Sequence, residues 1–372
     1  RFHASIVLAA VGDAMGYNNG SYEFDMDTRH IHSHLQTYYG SVPNIDIRGW
    51  RVSDDTVMHL ATMRALVQEQ PQPQEQQGEG SQARDELDQL MRHMAQEYID
   101  CWDDMNGRAP GGTCGSGVRY LNRVGTDNWF TVPWSTFGGG CGASMRAQAI
   151  GLRYHGAENR DMLVAVGIES GRLTHNHPTG FLGSMVSAAF TAFAIEGIPV
   201  NQWGYHLMHD LIPRSIQYLR TAHNGRDWSE HNEKAIHNFI RAWERMLKAR
   251  GLTELNNNGP VFPDPYGIDE RDAFYHSFAF RGWPGASGDD SVIIAYDALL
   301  GAGDNWEELM LRGALHGGDS DSTGTVAAAW FGALYGFRGV SRSNYEHVEK
   351  KSELDQLAQK LYDISIQDNK NQ

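Results

Sequence analysis

Cysteine is scarce in this sequence, and no cysteine spacing points to a structural site. Cys101, Cys114 and Cys141 form an odd and sparse set, which argues against a disulfide framework and fits a reducing compartment. None of them has the CxxC spacing that thiolate zinc sites use. We therefore expect a cytoplasmic protein without a cysteine-based zinc site.

Long hydrophobic runs are also missing. The longest apolar clusters are Ala188–Phe193 and Ala327–Tyr335, far short of the roughly 18–20 residues that a membrane span requires. The first residues carry no signal-peptide pattern. We expect a soluble protein that has no membrane partner.

Basic residues are outnumbered by acidic ones. The chain has 31 Lys and Arg against 46 Asp and Glu, a formal net charge of −15. This balance disfavours non-specific attraction to nucleic acid or anionic lipid, so neither is an expected partner. Most of the negative charge is interpreted as surface solubility, but some acidic residues can gather to hold cations, which only local motifs can test.

Strand-like alternation is rare, whereas apolar residues recur with helical spacing. Leu60, Met63 and Val67, for example, are spaced at i, i+3 and i+7, as on one face of a helix. Further helices are predicted over Met145–Tyr154, Phe181–Ile195, Trp203–Tyr218, Glu233–Lys248, Ser291–Ala302, Asn305–Leu315 and Leu354–Ile364. The fold class predicted from these patterns is all-α.

One segment differs from the rest in composition. Gln68–Gln82 has almost no apolar residues, so it cannot bury enough surface to offset its ordering entropy. Because predicted helices lie on both sides of it, we interpret it as a flexible surface insertion and not as a domain boundary. The prediction is a single domain over residues 1–372.

Two short acidic motifs precede predicted helices. They are Ser53-Asp54-Asp55-Thr56 and the stretch Gly317–Thr323, which contains Asp319, Asp321 and Ser322. Either motif alone is explained equally well by helix capping, since hydroxyl and acidic side chains are favoured at helix N-termini.

Considered together, the two motifs favour a metal site. Adjacent carboxylates repel each other unless a cation lies between them, and ligands that are all oxygen suit Mg²⁺ or Mn²⁺ better than zinc. If the fold brings the two helix starts together, Ser53, Asp54, Asp55, Asp319, Asp321 and Ser322 can hold two metal ions. Two such ions about 3.5–4 Å apart can activate a water for hydrolysis.

Four other residues carry side chains that can take part in chemistry. Glu23 lies in a Gly/Asn loop, where a carboxylate is usually solvated, although it can reach over a site from there. His175 and His177 are spaced at i and i+2 and precede Pro178, which makes a zinc pair improbable. Cys141 has no evident base beside it and is interpreted as a small packing residue.

The same motifs resemble those of the ADP-ribosylglycohydrolase family, and within it the ADP-ribosylarginine hydrolases. The pair of acidic motifs is typical of the family, and the two stretches that contain Pro110 and Pro178 point to the arginine branch. The matching stretches are Gly12–Phe24, Gly49–Thr62, Asp103–Gly112, Gly139–Ala147, Glu169–Gly183, His316–Thr323 and Tyr335–Glu346. They cover nearly the whole chain in order.

The resemblance implies a fold, a cofactor and an activity. The fold is a compact, orthogonal all-α domain with a cleft that holds two Mg²⁺ ions, with Mn²⁺ as an alternative, on the six residues named above. The implied reaction is hydrolysis of the N-glycosidic bond between ADP-ribose and arginine side chains. Its substrates are mono-ADP-ribosylated proteins, its product is ADP-ribose, and we expect the enzyme to be a monomer.

The resemblance also implies roles for individual residues. Asp54, Asp55 and Glu23 are the catalytic candidates. Asp54 or Asp55 is expected to accept a proton from water, and Asp55 or Glu23 is expected to handle the proton of the leaving group. Phe280 is expected to stack on adenine, and Gly139–Gly142 to cradle the diphosphate at a helix N-terminus. The residues expected to bind ADP-ribose are Asn19, Gly20, Pro110, Gly111, Gly112, Gly138, Gly139, Gly140, Cys141, Gly142, His175, Phe280, Arg281, Gly282, Ser287 and Gly288. Gly138, Arg281 and Asp289 depart from the polar residues expected at their positions.

Three alternatives remain open at this stage. The same fold can act on ADP-ribosylserine or on a small ADP-ribosyl metabolite. Paired Asp clusters also serve two-metal phosphoesterases, which would release phosphate or a nucleotide. A non-enzymatic ADP-ribose binder is the third alternative, which the complete set of ligand residues disfavours.

Overall fold

The structure is a computed structural model that describes residues 1–68, 79–222, 229–255 and 258–370. Within these ranges it is built from helices, and β-structure is limited to isolated bridges between Gly140 and Ser287 and between Phe280 and Trp283. The predicted all-α class is confirmed. The helices are α1 (Phe2–Tyr17), α2 (Thr28–Tyr38), α3 (Asp54–Leu66), α4 (Glu79–Asp100), α5 (Gly112–Val124), α6 (Gln148–Arg153), α7 (Arg160–Arg172), α8 (Pro178–Glu196), α9 (Trp203–His206), α10 (Ile212–Thr221), α11 (Glu230–Arg250), α12 (Ile268–His276), α13 (Asp290–Ala302), α14 (Trp306–Gly313), α15 (Ser320–Tyr335) and α16 (Lys351–Lys370).

The predicted helices are present, with two differences inside them. The helix predicted from Met145 begins only at Gln148, because Cys141–Ala143 form a 3₁₀ turn first. The helix predicted over Trp203–Tyr218 is divided by a π-helical segment, Leu207–Leu211. Pro213 follows two residues after this segment, and its missing N–H removes one α-helical hydrogen bond there.

The predicted insertion Gln68–Gln82 is shorter at its C-terminal end than expected. Residues 69–78 lie outside the described residues, whereas α4 already begins at Glu79. The buried face of α4 starts near Leu90. Because helix propagation is favourable once a helix is nucleated, α4 continues from there toward the N-terminus without further burial.

Helix α8 corrects the prediction that no segment is long and apolar enough to cross a membrane. By length and composition it passes that test, with 19 residues and a mean hydropathy of 1.4, but 89% of its apolar window is buried inside the protein. Interspersed Ser, Thr and Gly residues hide this in the sequence, because they interrupt the apolar runs without adding charge. Helix α8 is therefore a central core helix.

The core around α8 is rich in aromatic rings. Phe190 is fully buried, and its ring centroid lies 5.2–5.6 Å from those of Trp203, Trp243, Tyr296 and Trp330. Truncating such a residue to Ala typically costs about 3–5 kcal/mol. This cluster joins α8 to α9, α11, α13 and α15.

Helices α1 and α15 pack with their backbones in contact. A Cβ added at Gly12 would lie 2.2 Å from the carbonyl oxygen of Gly324, and one at Gly16 would lie 2.5 Å from the backbone nitrogen of Asp321. Only glycine permits this approach. The C-terminal end of α1 is thereby held against the first turn of α15, where the second acidic motif lies.

Candidate active site

The first acidic motif forms the start of α3. Ser53 is the N-cap, and its Oγ accepts a hydrogen bond from the N–H of Asp55 at 3.1 Å. Asp54 and Asp55 occupy the first turn, and all three residues are buried. The capping expected for this motif is thus present, but it uses only the Ser53 hydroxyl and leaves both carboxylates for other contacts.

Asp13 of α1 holds this turn in place. Its carboxylate accepts hydrogen bonds from the N–H of Ser53 at 2.9 Å, from the N–H of Thr56 at 3.0 Å and from the Thr56 hydroxyl. Burial raises the pKa of Asp13 to about 6 although these donors favour the charged form. Asp13 was not among the predicted site residues. The available signal was a single carboxylate inside an otherwise apolar helix.

Arg108 supports the same turn from the other side. Its carbonyl accepts from the N–H of Asp54 at 3.0 Å, and its buried guanidinium donates to the carbonyl of Val52 and to both carboxylate oxygens of Glu349 at 2.7–2.9 Å. A bidentate pair of this kind fixes geometry as well as charge. Arg108 was also missed as a positioning residue.

The second acidic motif begins α15. Asp319 and Asp321 are buried, and Oδ1 of Asp321 accepts from the N–H of Ser322 at 3.0 Å. Oδ2 of Asp319 also accepts from the Cys141 thiol at 3.1 Å. Cys141 is therefore more than the packing residue we expected.

The structure brings the two acidic motifs together. Thr325 of α15 donates to Oδ2 of Asp55 at 3.3 Å. Burial and then the charge of Asp321 hold the pKa values of Asp54 and Asp55 well above their usual range. Burial and then the charge of Asp319 raise the pKa of Asp321 in the same way. We call Asp54, Asp55, Asp319 and Asp321 the acidic cluster.

The acidic cluster suits a hard divalent cation by its chemistry. Its donors are carboxylate oxygens with the Ser53 and Ser322 hydroxyls beside them, the ligand type that Mg²⁺ prefers. None of the four carboxylates has an ion-pair partner in the described ranges, whereas other buried carboxylates do, as in the pair Arg250–Asp297. However, no three His, Cys, Asp or Glu side chains of the described residues are already grouped as a metal site.

Glu23 lies beside the acidic cluster instead of being solvated. It is half-buried, and burial followed by the charges of Asp321 and Asp13 raises its pKa to about 8. The next residue, Phe24, donates its N–H to the carbonyl of Gly318 at 2.8 Å. Glu23 is consequently protonated in a substantial fraction of molecules near neutral pH.

Two glycine-rich loops pair next to the cluster. The N–H of Gly288 donates to the carbonyl of Gly139 at 2.9 Å, and the N–H of Cys141 donates to that of Ala286 at 3.2 Å. Both loops rest on α8, where a Cβ at Gly183 would lie 2.1 Å from the Gly288 carbonyl oxygen. The acidic cluster and the two glycine-rich loops beside it form the candidate ligand-binding site.

Comparison with known proteins identifies the family. The sequence profile described as ADP-ribosylglycohydrolase matches residues 1–371. The chain belongs to the ADP-ribosylglycohydrolase family. It is 41% identical to ADP-ribosylhydrolase ARH1 of Dictyostelium discoideum over 96% of this chain and 92% of that protein. It is 24% identical to human ADP-ribosylhydrolase ARH3 over 98% and 93% of the two chains.

A solved structure supports the fold. The "ADP-ribosylglycohydrolase-related protein complex" superimposes with a TM-score of 0.55 over 98% of each chain, at 18% sequence identity. The solved structure thus agrees with the fold, and the family resemblance seen in the sequence is confirmed by the match over residues 1–371.

The glycine loop that was expected to cradle a diphosphate is built differently from the prediction. No helix start follows it at Met145, since Met145 donates back to the carbonyl of Cys141 and α6 begins later. In the described chain, however, the N–H groups of Gly139, Gly140 and Gly142 donate to no backbone acceptor. The loop thus offers three free donors without a helix dipole behind them.

The loop Pro110–Gly112 lies next to the Gly138–Gly142 loop. Gly111 caps α5, Gly111 and Gly112 are exposed, and a Cβ at either would meet nothing within 4 Å. Thr113 donates to the carbonyl of Phe137, the residue before Gly138, at 3.0 Å. The structure therefore brings this predicted loop and the Gly138–Gly142 loop together.

Three other predicted ligand contacts have structural partners. Oδ1 of Asn19, beside Gly20, accepts from the N–H of Arg51 at 2.9 Å. The hydroxyl of Ser287 donates to Asp289 at 2.7 Å. His175 is buried behind the glycine loop, and burial with the nearby Arg146 lowers its pKa to about 3, so it is neutral. Each of these residues supports a loop of the site.

The turn Phe280–Trp283 presents aromatic rings at the surface. Arg281 and Gly282 have φ values of 57° and 80°, and Phe280 is 65% exposed. The Arg281 guanidinium lies 5.2 Å from the centroid of the Phe280 ring. An adenine stacked on Phe280 would therefore share that ring with Arg281 or displace it.

Proposed function

We propose that this protein hydrolyses the N-glycosidic bond between ADP-ribose and arginine side chains of mono-ADP-ribosylated proteins in a Mg²⁺-dependent reaction, releasing ADP-ribose. The proposal is supported by the family, by the 41% identity to an ADP-ribosylhydrolase ARH1 and by the arginine-branch motifs in the sequence. The observation that carries it is the meeting of two buried acidic helix starts beside two glycine loops.

The acidic cluster is the proposed metal centre. Ser53, Asp54, Asp55, Asp319, Asp321 and Ser322 would hold two Mg²⁺ ions. When bound, such ions lower the pKa of a coordinated water and hold ribose hydroxyls. Asp13 and Arg108 keep the first turn of α3 in position for this role.

Proton transfer is assigned to three carboxyl groups. Cleavage of the glycosidic bond develops positive charge at the anomeric carbon, and guanidine is so basic that it must leave protonated. Asp54 or Asp55 accepts the proton of the attacking water. Glu23, whose pKa is raised above all by burial, is placed to supply or retain the proton of the leaving group.

ADP-ribose is assigned to the glycine loops. The free N–H groups of Gly139, Gly140 and Gly142 would bind the diphosphate, and Phe280 would stack on adenine. Because the Cys141 thiol contacts Asp319, the diphosphate loop and the acidic cluster are joined directly. A ribose next to the diphosphate would therefore reach the acidic cluster.

The test compares defined substrates with and without Mg²⁺. An arginine-ADP-ribosylated protein and a serine-ADP-ribosylated peptide are incubated with the enzyme, and the products are identified by mass. Intact ADP-ribose should be released from arginine, and only when Mg²⁺ is present. Release from serine alone would refute the arginine assignment, and release of phosphate or AMP would indicate a phosphoesterase.

A further inference from the structure

Two exposed aromatic rings lie in contact beside the acidic cluster. Phe24 is 39% exposed and Trp283 is 52% exposed, and their ring centroids are 5.0 Å apart with an interplanar angle of 52°. We call them the aromatic pair. Neither ring belongs to the core, and neither is among the residues to which binding of ADP-ribose has been assigned.

Both rings are attached to the loop that leads into the second acidic motif. Phe24 donates its N–H to the carbonyl of Gly318 at 2.8 Å, and the N–H of Asp319 donates to the carbonyl of Pro284, the neighbour of Trp283, at 2.9 Å. The aromatic pair therefore lies across Gly318 and Asp319. Glu23 precedes Phe24 and interacts with Asp321.

The backbone is strained where the rings are presented. Phe24 has a φ of 59° and Arg281, in the turn before Trp283, has a φ of 57°. A non-glycine residue in this region costs of order 1–3 kcal/mol, and such residues cluster at ligand sites. Phe24 keeps 39% of its surface exposed, so burial offsets this strain only in part, and a binding role accounts for the remainder.

The electrostatic surroundings favour a cation. Ring faces carry negative electrostatic potential and bind guanidinium groups well. Arg281 does not occupy these rings, because its guanidinium lies over Phe280 instead. The glycine loop contacts the acidic cluster through Cys141 and Asp319, whereas the aromatic pair contacts it through Gly318. The nucleotide and the leaving group would therefore bind on different sides of the acidic cluster.

We propose that the aromatic pair binds the guanidinium-bearing side chain of the substrate arginine and is a specificity determinant of the reaction. The inference rests on the proposed function, since it assigns the leaving-group side of the same site. Trp283 supplies the cation–π face, and Phe24 holds the Trp283 ring and places Glu23 next to the departing nitrogen.

The experiment uses Trp283→Leu, which keeps apolar bulk but removes the ring, and Trp283→Phe, which keeps a ring face. Tyr362→Leu is the matched control, because Tyr362 is 44% exposed and packs on Phe2 away from the site. With an ADP-ribosyl-arginine peptide, Trp283→Leu should lower kcat/KM about 10-fold, mainly through KM, and Trp283→Phe should recover most of this loss. Inhibition by ADP-ribose should be unchanged in every variant.

A binding measurement separates this inference from the proposed function. The full chain with Mg²⁺ and ADP-ribose is titrated with n-butylguanidinium and with n-butylurea, a neutral analogue of the same shape, and binding is measured by isothermal titration calorimetry in the wild type and in Trp283→Leu. Preferential binding of the cation, lost in Trp283→Leu, supports the inference even if the wild type proves to cleave another linkage. Equal binding of both probes overturns it even if arginine is the substrate, and so does a weakened ADP-ribose affinity of Trp283→Leu.

Discussion

Replacing Asp13 with Ala tests whether this carboxylate positions the first acidic motif. The change removes an acceptor from the N–H of Ser53, the N–H of Thr56 and the Thr56 hydroxyl, all of which are buried. A buried donor left without a partner costs about 1–3 kcal/mol. An opposing effect is the loss of a negative charge that raises the pKa values of Asp54 and Asp55. We therefore expect a net loss of roughly 3–5 kcal/mol in the free energy of unfolding.

The same substitution should affect activity beyond its effect on stability. Without Asp13 the first turn of α3 loses its anchor, so Asp54 and Asp55 move relative to Asp321. Ser5→Ala is the matched control, because Ser5 lies on the same helix and donates one buried hydrogen bond to the carbonyl of Ala329 in α15 at 2.9 Å. It should cost about 1 kcal/mol and leave kcat unchanged.

The assay combines urea unfolding with turnover at a temperature where all variants are folded. Asp13→Ala should lose at least about 100-fold in kcat/KM, which corresponds to a misplacement of the reacting groups. The positioning role is refuted if Asp13→Ala keeps both wild-type kcat and a free energy of unfolding within 1 kcal/mol of wild type. Loss of stability with full activity would restrict Asp13 to a folding role.

Three further outcomes are expected. Asp321→Ala should lower turnover by about 1,000-fold or more while its circular dichroism spectrum stays that of the wild type. Near-full activity of the wild-type protein in the presence of EDTA would disprove the metal proposal. Burial raises the pKa of Glu23 to about 8 and that of Asp319 to about 6. The folded metal-free protein therefore retains protons that the unfolded chain releases, and its stability falls as the pH rises from about 4.5 to 8. Its Tm in EDTA should be lower at pH 8 than at pH 6, and Mg²⁺ should raise Tm more at pH 8; a Tm that rises with pH in EDTA would contradict this. Gly12→Ala, whose Cβ would lie 2.2 Å from a carbonyl oxygen, should destabilise the fold by roughly 3 kcal/mol in thermal or urea unfolding.

The sequence predicted the fold class and the acidic motifs because both are local patterns. Helical periodicity and acidic residues in a first turn involve neighbours along the chain, as at Ser53–Asp55. The hydrogen bond between Cys141 and Asp319 joins residues 178 positions apart. A single sequence carries no pattern for such a contact, so Cys141 was interpreted as a packing residue.

Asp13 and α8 show a second reason for incomplete prediction. Asp13 has no acidic neighbour and no motif of its own, and its importance arises from donors on another helix. The length of the apolar helix α8 was underestimated from the sequence, because Gly and Ser residues that fit its neighbours interrupt the apolar runs. In both cases the tertiary partner determines the role of the residue.

Helix α1 connects the two halves of the candidate site although it supplies none of the predicted metal ligands. Asp13 fixes the turn that carries Asp54 and Asp55, and one turn later the bare backbone of Gly16 lies against Asp321. Because α1 is buried over nearly its whole length, it holds both acidic turns at a fixed separation despite their mutual repulsion. The position of the acidic cluster therefore depends on two residues of α1, a carboxylate that accepts backbone donors and a glycine that leaves room for a second helix.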